Sequence, residues 1–301
     1  MPELGFIFPN EAHPAWGIMI VLYPYITGLV AGAFVVSALY HVFGRQELKP
    51  VARLALVTSL CFCAFATLPL LLHLHHPERC LQILITPSAT SAIAGFGFIY
   101  GAYMLLLVVE VWLVFRPSIV HRATTRSGVA RFFYLLLALG VTSISDRARA
   151  VDRWLIRALA VAGIPIACLL HGYVGFLFGA VKANAWWSSS LMPVIFLASA
   201  IVSGIAALIL LYRFSCWWRG VAVEVTCLRA LARYLWLFLV VAVTLEGLEL
   251  LQMAYEAGGE WPIIYALLTK HLSISYGVIQ ILIGSILPLL LLLPSFYSRL
   301  S

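Results

Sequence analysis

The sequence predicts an all-α polytopic transmembrane bundle, and three observations carry that expectation. Hydrophobic residues fill 63% of the 301 positions and charged residues only 10%, a composition that a water-soluble particle of this size cannot hide inside itself. The apolar residues gather into seven runs of about twenty, the length of one helical crossing. The basic residues fall between those runs, almost all on one side, where they orient a membrane protein. The net charge of +7 is therefore a topological signal, and no nucleic-acid partner is expected.

The first run, Gly17–Val42, follows MPELGFIFPNEAHPAWG, which lacks the basic start and cleavage site of a secretory signal, so it is expected to stay as a helix. Val51–His73 and Ala89–Phe115 form the second and third spans. Next comes a basic connection, residues 116–153, containing RFFYLLLALGVTSIS from Arg131. Its continuous apolar part, about ten residues, is too short to cross, so a cytoplasmic interfacial helix flanked by arginines is expected at the anionic inner leaflet. Ile156–Phe178, Ser189–Tyr212, Tyr234–Tyr255 and Leu272–Leu293 complete seven spans in one membrane domain, 1–301. Of the 19 Lys and Arg residues, all but Arg79, Lys182 and Lys270 fall on one side of this arrangement. That side is the cytoplasm, and the N-terminus lies outside.

Six cysteines are scattered in or beside the apolar runs, and Cys61 and Cys63, two apart, do not have metal-ligand spacing. They read as small hydrophobes of a bilayer core. The loops show no Gly-rich phosphate motif, no Ser/His/Asp order and no heptad seam, so soluble catalysis is not supported. No inverted repeat of the transporter kind stands out either.

Ionisable residues at membrane depth are costly and point to function. His171 lies about 22 Å into the fourth span from its inner end, in the outer half. Tyr173, two residues on, points about 200° away around the helix, so the two are not expected to share one small ligand. Gly172, Gly175 and Gly179 permit close approach of a neighbouring helix or a flat ring. Glu246 and Glu249 of the sixth span share a helix face. Two carboxylates this close in low dielectric resist ionising together, which suits a proton relay or a quinol deprotonation partner. Glu110, near the inner end of the third span, is within reach of headgroups or Arg116 and could admit protons from the cytoplasm. The outer ends collect His13, His73, His271 and an aromatic belt that includes Trp16, Trp186 and Trp187. Histidines at similar depth also leave a haem-ligand reading open.

The stretch LHGYVGFLFGAVKANAWWSSSLMPVIFLASAIVSGIAAL from Leu170 closely resembles the fourth and fifth helices of the NrfD/PsrC family of polysulfide-reductase-type membrane subunits. WGIMIVLYPYITGLVAGAFVVS from Trp16 is similar to that family's Gly-rich first helix, FFYLLLALGVTSISDRA from Phe132 to its interfacial segment, and YGVIQILIGSILPLLLLL from Tyr276 to a later Gly-then-Pro helix. Members typically have eight helices, whereas this sequence ends at Ser301 after the seventh. The resemblance implies a subunit of the bacterial or archaeal inner membrane that binds menaquinone or ubiquinone near the outer face, without haem or an iron–sulfur cluster of its own. It implies electron exchange there with a ferredoxin-like iron–sulfur subunit on the periplasmic face, and a molybdopterin or cytochrome subunit beyond it. Carried over by position, the quinone-binding candidates are His171 and Tyr173, with His13, Trp16 and Tyr23. Lys182, Trp186 and Trp187 stand on the docking face, and Glu246, Glu249 and Glu110 are the proton-transfer candidates. Two other readings use the same residues: a proton- or ion-coupled transporter built around Glu246 and Glu249, and a haem-b anchor.

Overall fold

The computed structural model describes residues 17–74, 76–88, 90–181, 184 and 186–297. Among these residues there is no strand, and seven helical spans are long and apolar enough to cross a membrane. In chain order the helices are α1 (Ile18–His41), α2 (Lys49–Ala66) continued by α3 (Leu68–His73), α4 (Gln82–Ile85), α5 (Ala92–Thr125), α6 (Gly128–Leu137), α7 (Asp146–Gly179), α8 (Met192–Trp218), α9 (Val225–Glu256) and α10 (Trp261–Ala266). The last span, Ser273–Phe296, begins with i→i+5 winding over Ser273–Ile286 and ends in the short helices α11 (Leu287–Leu292) and α12 (Pro294–Tyr297).

Helix α1 is the hub, because it packs deeply into both large hydrophobic cores. One core joins Val30 and Phe34 of α1 to Leu56 of α2, Tyr103 and Leu107 of α5, and Leu170 and Val174 of α7. The other joins Ala33 and Val36 of α1 to Val51 and Ala55 of α2, Ile205 and Leu208 of α8, and Leu231 of α9. Pro24 inside α1 has no N–H to give the helix ladder, and Thr27 hydroxyl contacts to the Tyr23 and Pro24 carbonyls, both at 3.0 Å, occupy the same turn. The α9 and last spans form the edge of the bundle and bury the least of their surface.

Small residues let α1 and α8 touch backbone to backbone, as packing between helices in lipid favours. A Cβ on Gly32 would stand 2.6 Å from the Ala200 carbonyl oxygen, and one on Gly204 would stand 2.5 Å from Gly32 Cα. The α7–α8 turn is equally tight. A Cβ on Gly175 would come within 2.6 Å of the Met192 carbonyl, and one on Gly179 within 2.7 Å of that of Ser189. Gly172 is different: its nearest such neighbour is the Pro193 oxygen at 3.8 Å, so it is not a point of closest approach.

On the side that carries most of the arginines the helices run further than hydropathy alone predicts. The third span continues as helix to Thr125, and the fourth begins at Asp146. These polar extensions are held by the Ser145 hydroxyl, which caps α7 by accepting from the Ala148 N–H at 3.2 Å, and by an Arg116–Asp152 ion pair at 2.6 Å. Arg116 thus serves α7 and not Glu110. Helix α6 lies between the extensions, tied to α5 by Trp112 Nε1–H donating to the Leu137 carbonyl at 2.8 Å and by Arg122 donating to Tyr134 Oη at 2.9 Å.

Gly32→Ala is expected to destabilise the purified chain by about 1–3 kcal/mol through overpacking, read as a lower thermal midpoint. Gly101→Ala is the matched control, because a Cβ at Gly101 meets open space.

Candidate functional site

Helices α1, α7, α8 and α9, the last span and the α7–α8 turn enclose a cavity of about 340 Å³ in the half of the bundle away from the basic side. By helix rise, His171 lies about 12 Å below the outer end of α7, and Glu246 and Glu249 about 15 and 10 Å below that of α9. All three line the cavity, together with Gly28 of α1 and Tyr276 and Gln280 of the last span. The remaining wall is mainly aromatic and aliphatic, including Phe178, Phe196, Trp186 and Trp187.

His171 is 3% exposed. Its ring rests against that of Phe196, with centroids 6.1 Å apart, and its Nδ1 has no hydrogen-bond partner among the described residues. Space for the ring comes from Gly28, where a Cβ would stand 3.3 Å from His171 Cε1. Phe178 lies between Phe196 and Trp187, with ring centroids 5.3 Å from each, tilted to the phenylalanine and edge-on to the tryptophan.

The opposite wall is polar. Glu246 Oε2 accepts from Gln280 Nε2 at 3.1 Å, whereas Glu249 Oε1 is buried without a partner among the described residues. Tyr276 meets the edge of Trp186 with ring centroids 5.8 Å apart. In the i→i+5 winding of this segment Tyr276 and Gln280, four apart, both face the cavity. A buried donor or acceptor left unmade costs about 1–3 kcal/mol, so the orphan Nδ1 and Oε1 mark places where a ligand's polar atoms would be favoured.

The other candidate residues lie elsewhere. Tyr173 points away from the cavity, donating its hydroxyl to the Ala92 carbonyl at 2.8 Å, in a gap left by Gly95. Tyr23 is buried against Phe96, edge to face at 5.4 Å, while Tyr25, two positions on, lines the cavity at its exposed rim. Glu110 is fully buried about 27 Å from the outer end of α5, away from the cavity, and neither of its oxygens has a partner among the described residues. His13, Trp16 and Lys182 lie outside the described residues. Tyr276 and Gln280 were not singled out from the sequence, although two polar side chains four apart in an apolar run are a readable signal.

The sequence matches the family described as Polysulphide reductase, NrfD, over residues 9–300. It is 35% identical to a selenate reductase subunit of Mesobacillus selenatarsenatis, an alignment covering 67% of this chain and 49% of the relative. It is 30% identical to a putative dimethyl sulfoxide reductase membrane subunit of Halobacterium salinarum, over 65% of this chain and 42% of that one. It is 24% identical to an Hdr-like menaquinol oxidoreductase integral membrane subunit of Archaeoglobus fulgidus, over 64% and 40%. The chain thus spans about half the length of the curated relatives it matches.

Tyr173→Phe is expected to cost about 1 kcal/mol of stability through the lost Ala92 bond. The loss is read as a lower thermal midpoint of the purified chain.

Proposed function

The chain belongs to the NrfD family of polysulphide reductase membrane subunits, multi-pass proteins of the prokaryotic inner membrane, and we propose that its outer-half cavity is where it binds a quinol or quinone. The observation that carries this reading is the convergence of His171, Glu246 and Glu249 on one aromatic-walled cavity with an orphan nitrogen and an orphan oxygen. The volume is within the range of small-molecule sites. Aromatic walls suit a flat ring, and the exposed rim at Val21 and Tyr25 gives an isoprenoid tail a way into lipid.

Quinol oxidation releases two electrons and two protons, so the site needs a hydrogen-bond partner at each ring oxygen and a route for protons. His171 Nδ1 is placed to serve one oxygen. On the facing wall Tyr276, Gln280 and the two glutamates are placed to serve the other and to receive a proton. In the reverse direction the same groups return protons to the quinone. Electrons pass to or from an iron–sulfur subunit docked on the outer face, near Trp186 and Trp187, which form part of the cavity wall. That a relative is named a menaquinol oxidoreductase membrane subunit supports this chemistry. Glu110, with two unpartnered oxygens in the inner half, is the proposed point of proton exchange with the cytoplasmic side.

Within the assembled complex, His171→Ala is expected to lower quinol-linked turnover by about 10²-fold or more, with Glu249→Gln in the same direction. Partner copurification should persist. Normal quinol turnover in both variants would overturn the site. Cation uptake by the purified chain in liposomes without any redox partner would favour the transporter reading instead.

A further inference from the structure

We propose that the wedge between α5 and α6 is a binding site for an anionic phospholipid of the inner leaflet, with Arg122 and Tyr134 holding its phosphate. A second cavity, about 180 Å³, opens there, lined by Phe115, Ser118, Ile119, Arg122 and Tyr134. Its composition is graded. Phe115 and Ile119 form an apolar part, and Ser118, Arg122 and Tyr134 bring two hydroxyls and a guanidinium to it.

The geometry prepares the cation. Arg122 Nη1 donates to Tyr134 Oη at 2.9 Å, and the guanidinium carbon lies 5.7 Å from the centre of the Tyr134 ring. One arm of the planar fork is thus fixed and the rest is open to a phosphate oxygen, a geometry that arginine suits better than lysine.

Charge selects the ligand. The stretch 116–145 contains four arginines and neither aspartate nor glutamate, and Arg116 is already paired with Asp152 across the helix extensions. An anionic headgroup therefore meets no carboxylate from this stretch of α5 or from α6.

The outward face of α6 selects lipid over a free anion. While Tyr134, Leu135 and Ala138 pack on Ile119, Val120 and Ala123 of α5, the opposite face exposes Val129, Phe132, Phe133 and Leu136. These recur at the i, i+3, i+4, i+7 spacing of a single stripe. A basic pocket beside an exposed apolar stripe matches a molecule that joins a phosphate to acyl chains.

The test is native mass spectrometry of the purified chain released from nanodiscs of dioleoyl phosphatidylcholine containing dioleoyl phosphatidylglycerol. Preferential retention of phosphatidylglycerol is expected. Arg122→Gln should lower it about fivefold, the effect of one basic residue at an anionic surface. Arg79→Gln, on the opposite side, should not. Arg122→Lys, which keeps the charge and loses the fork, should fall between and controls for folding. Equal retention of both lipids, or unchanged retention in Arg122→Gln, would overturn the site. A photo-cross-linking residue at Phe133 that captures a cytoplasmic protein in cells instead of lipid would overturn it too.

Discussion

The backbone contact between α1 and α8 is the constraint on which the rest of the arrangement depends. In lipid, apolar side chains gain little by turning from hydrocarbon to one another, so helices associate through close packing and a few polar contacts. At Gly32 and Gly204 two helices meet with no side chain between them. That crossing fixes α1 as the shared wall of two cores. One turn toward the outer side it also leaves a gap at Gly28, and the His171 ring enters this gap from α7.

The polar groups of the membrane-embedded region follow two patterns. Some are satisfied within the fold: Ser59 donates to the Val30 carbonyl at 3.1 Å, Tyr100 to that of Cys63, and Tyr173 to that of Ala92. These fasten helices to each other. Another set, including His171 Nδ1, Glu249 Oε1 and both Glu110 oxygens, is buried without a partner among the described residues. Such groups are costly in low dielectric; the Tyr23, Ser37 and Tyr103 hydroxyls share that state inside the packed bundle, so it is the cavity around His171 and Glu249 that sets those two apart.

The spans were legible in the sequence because hydropathy is a local property and one crossing needs a fixed length. Relative height was legible for a similar reason: counting residues at a constant rise puts His171, Glu246 and Glu249 at one level of the bundle, where they line one cavity. Direction around the helix was harder. Tyr23 and Tyr25 stand two positions apart, yet one is packed against Phe96 and the other lines the cavity, and only the neighbouring helices decide which. The inner extensions of α5 and α7 were hidden because their polar residues look like loop, and their support comes from a cap and an ion pair spanning 36 positions. Tyr276 and Gln280 differ again: their spacing of four marks a shared face, but neither carries a charge at neutral pH, so the cost of burying charge does not point to them.

The fit between Gly28 and His171 has a consequence for descent. A Cβ at position 28 would stand 3.3 Å from the imidazole and 3.4 Å from Ala200, so even a methyl group there asks its neighbours to give way. A lineage that enlarges the first must re-aim or shrink the second, and one that shrinks the histidine still finds the first bounded by Ala200 of α8. The two helices would then drift as a pair at this level, each recording the other's history.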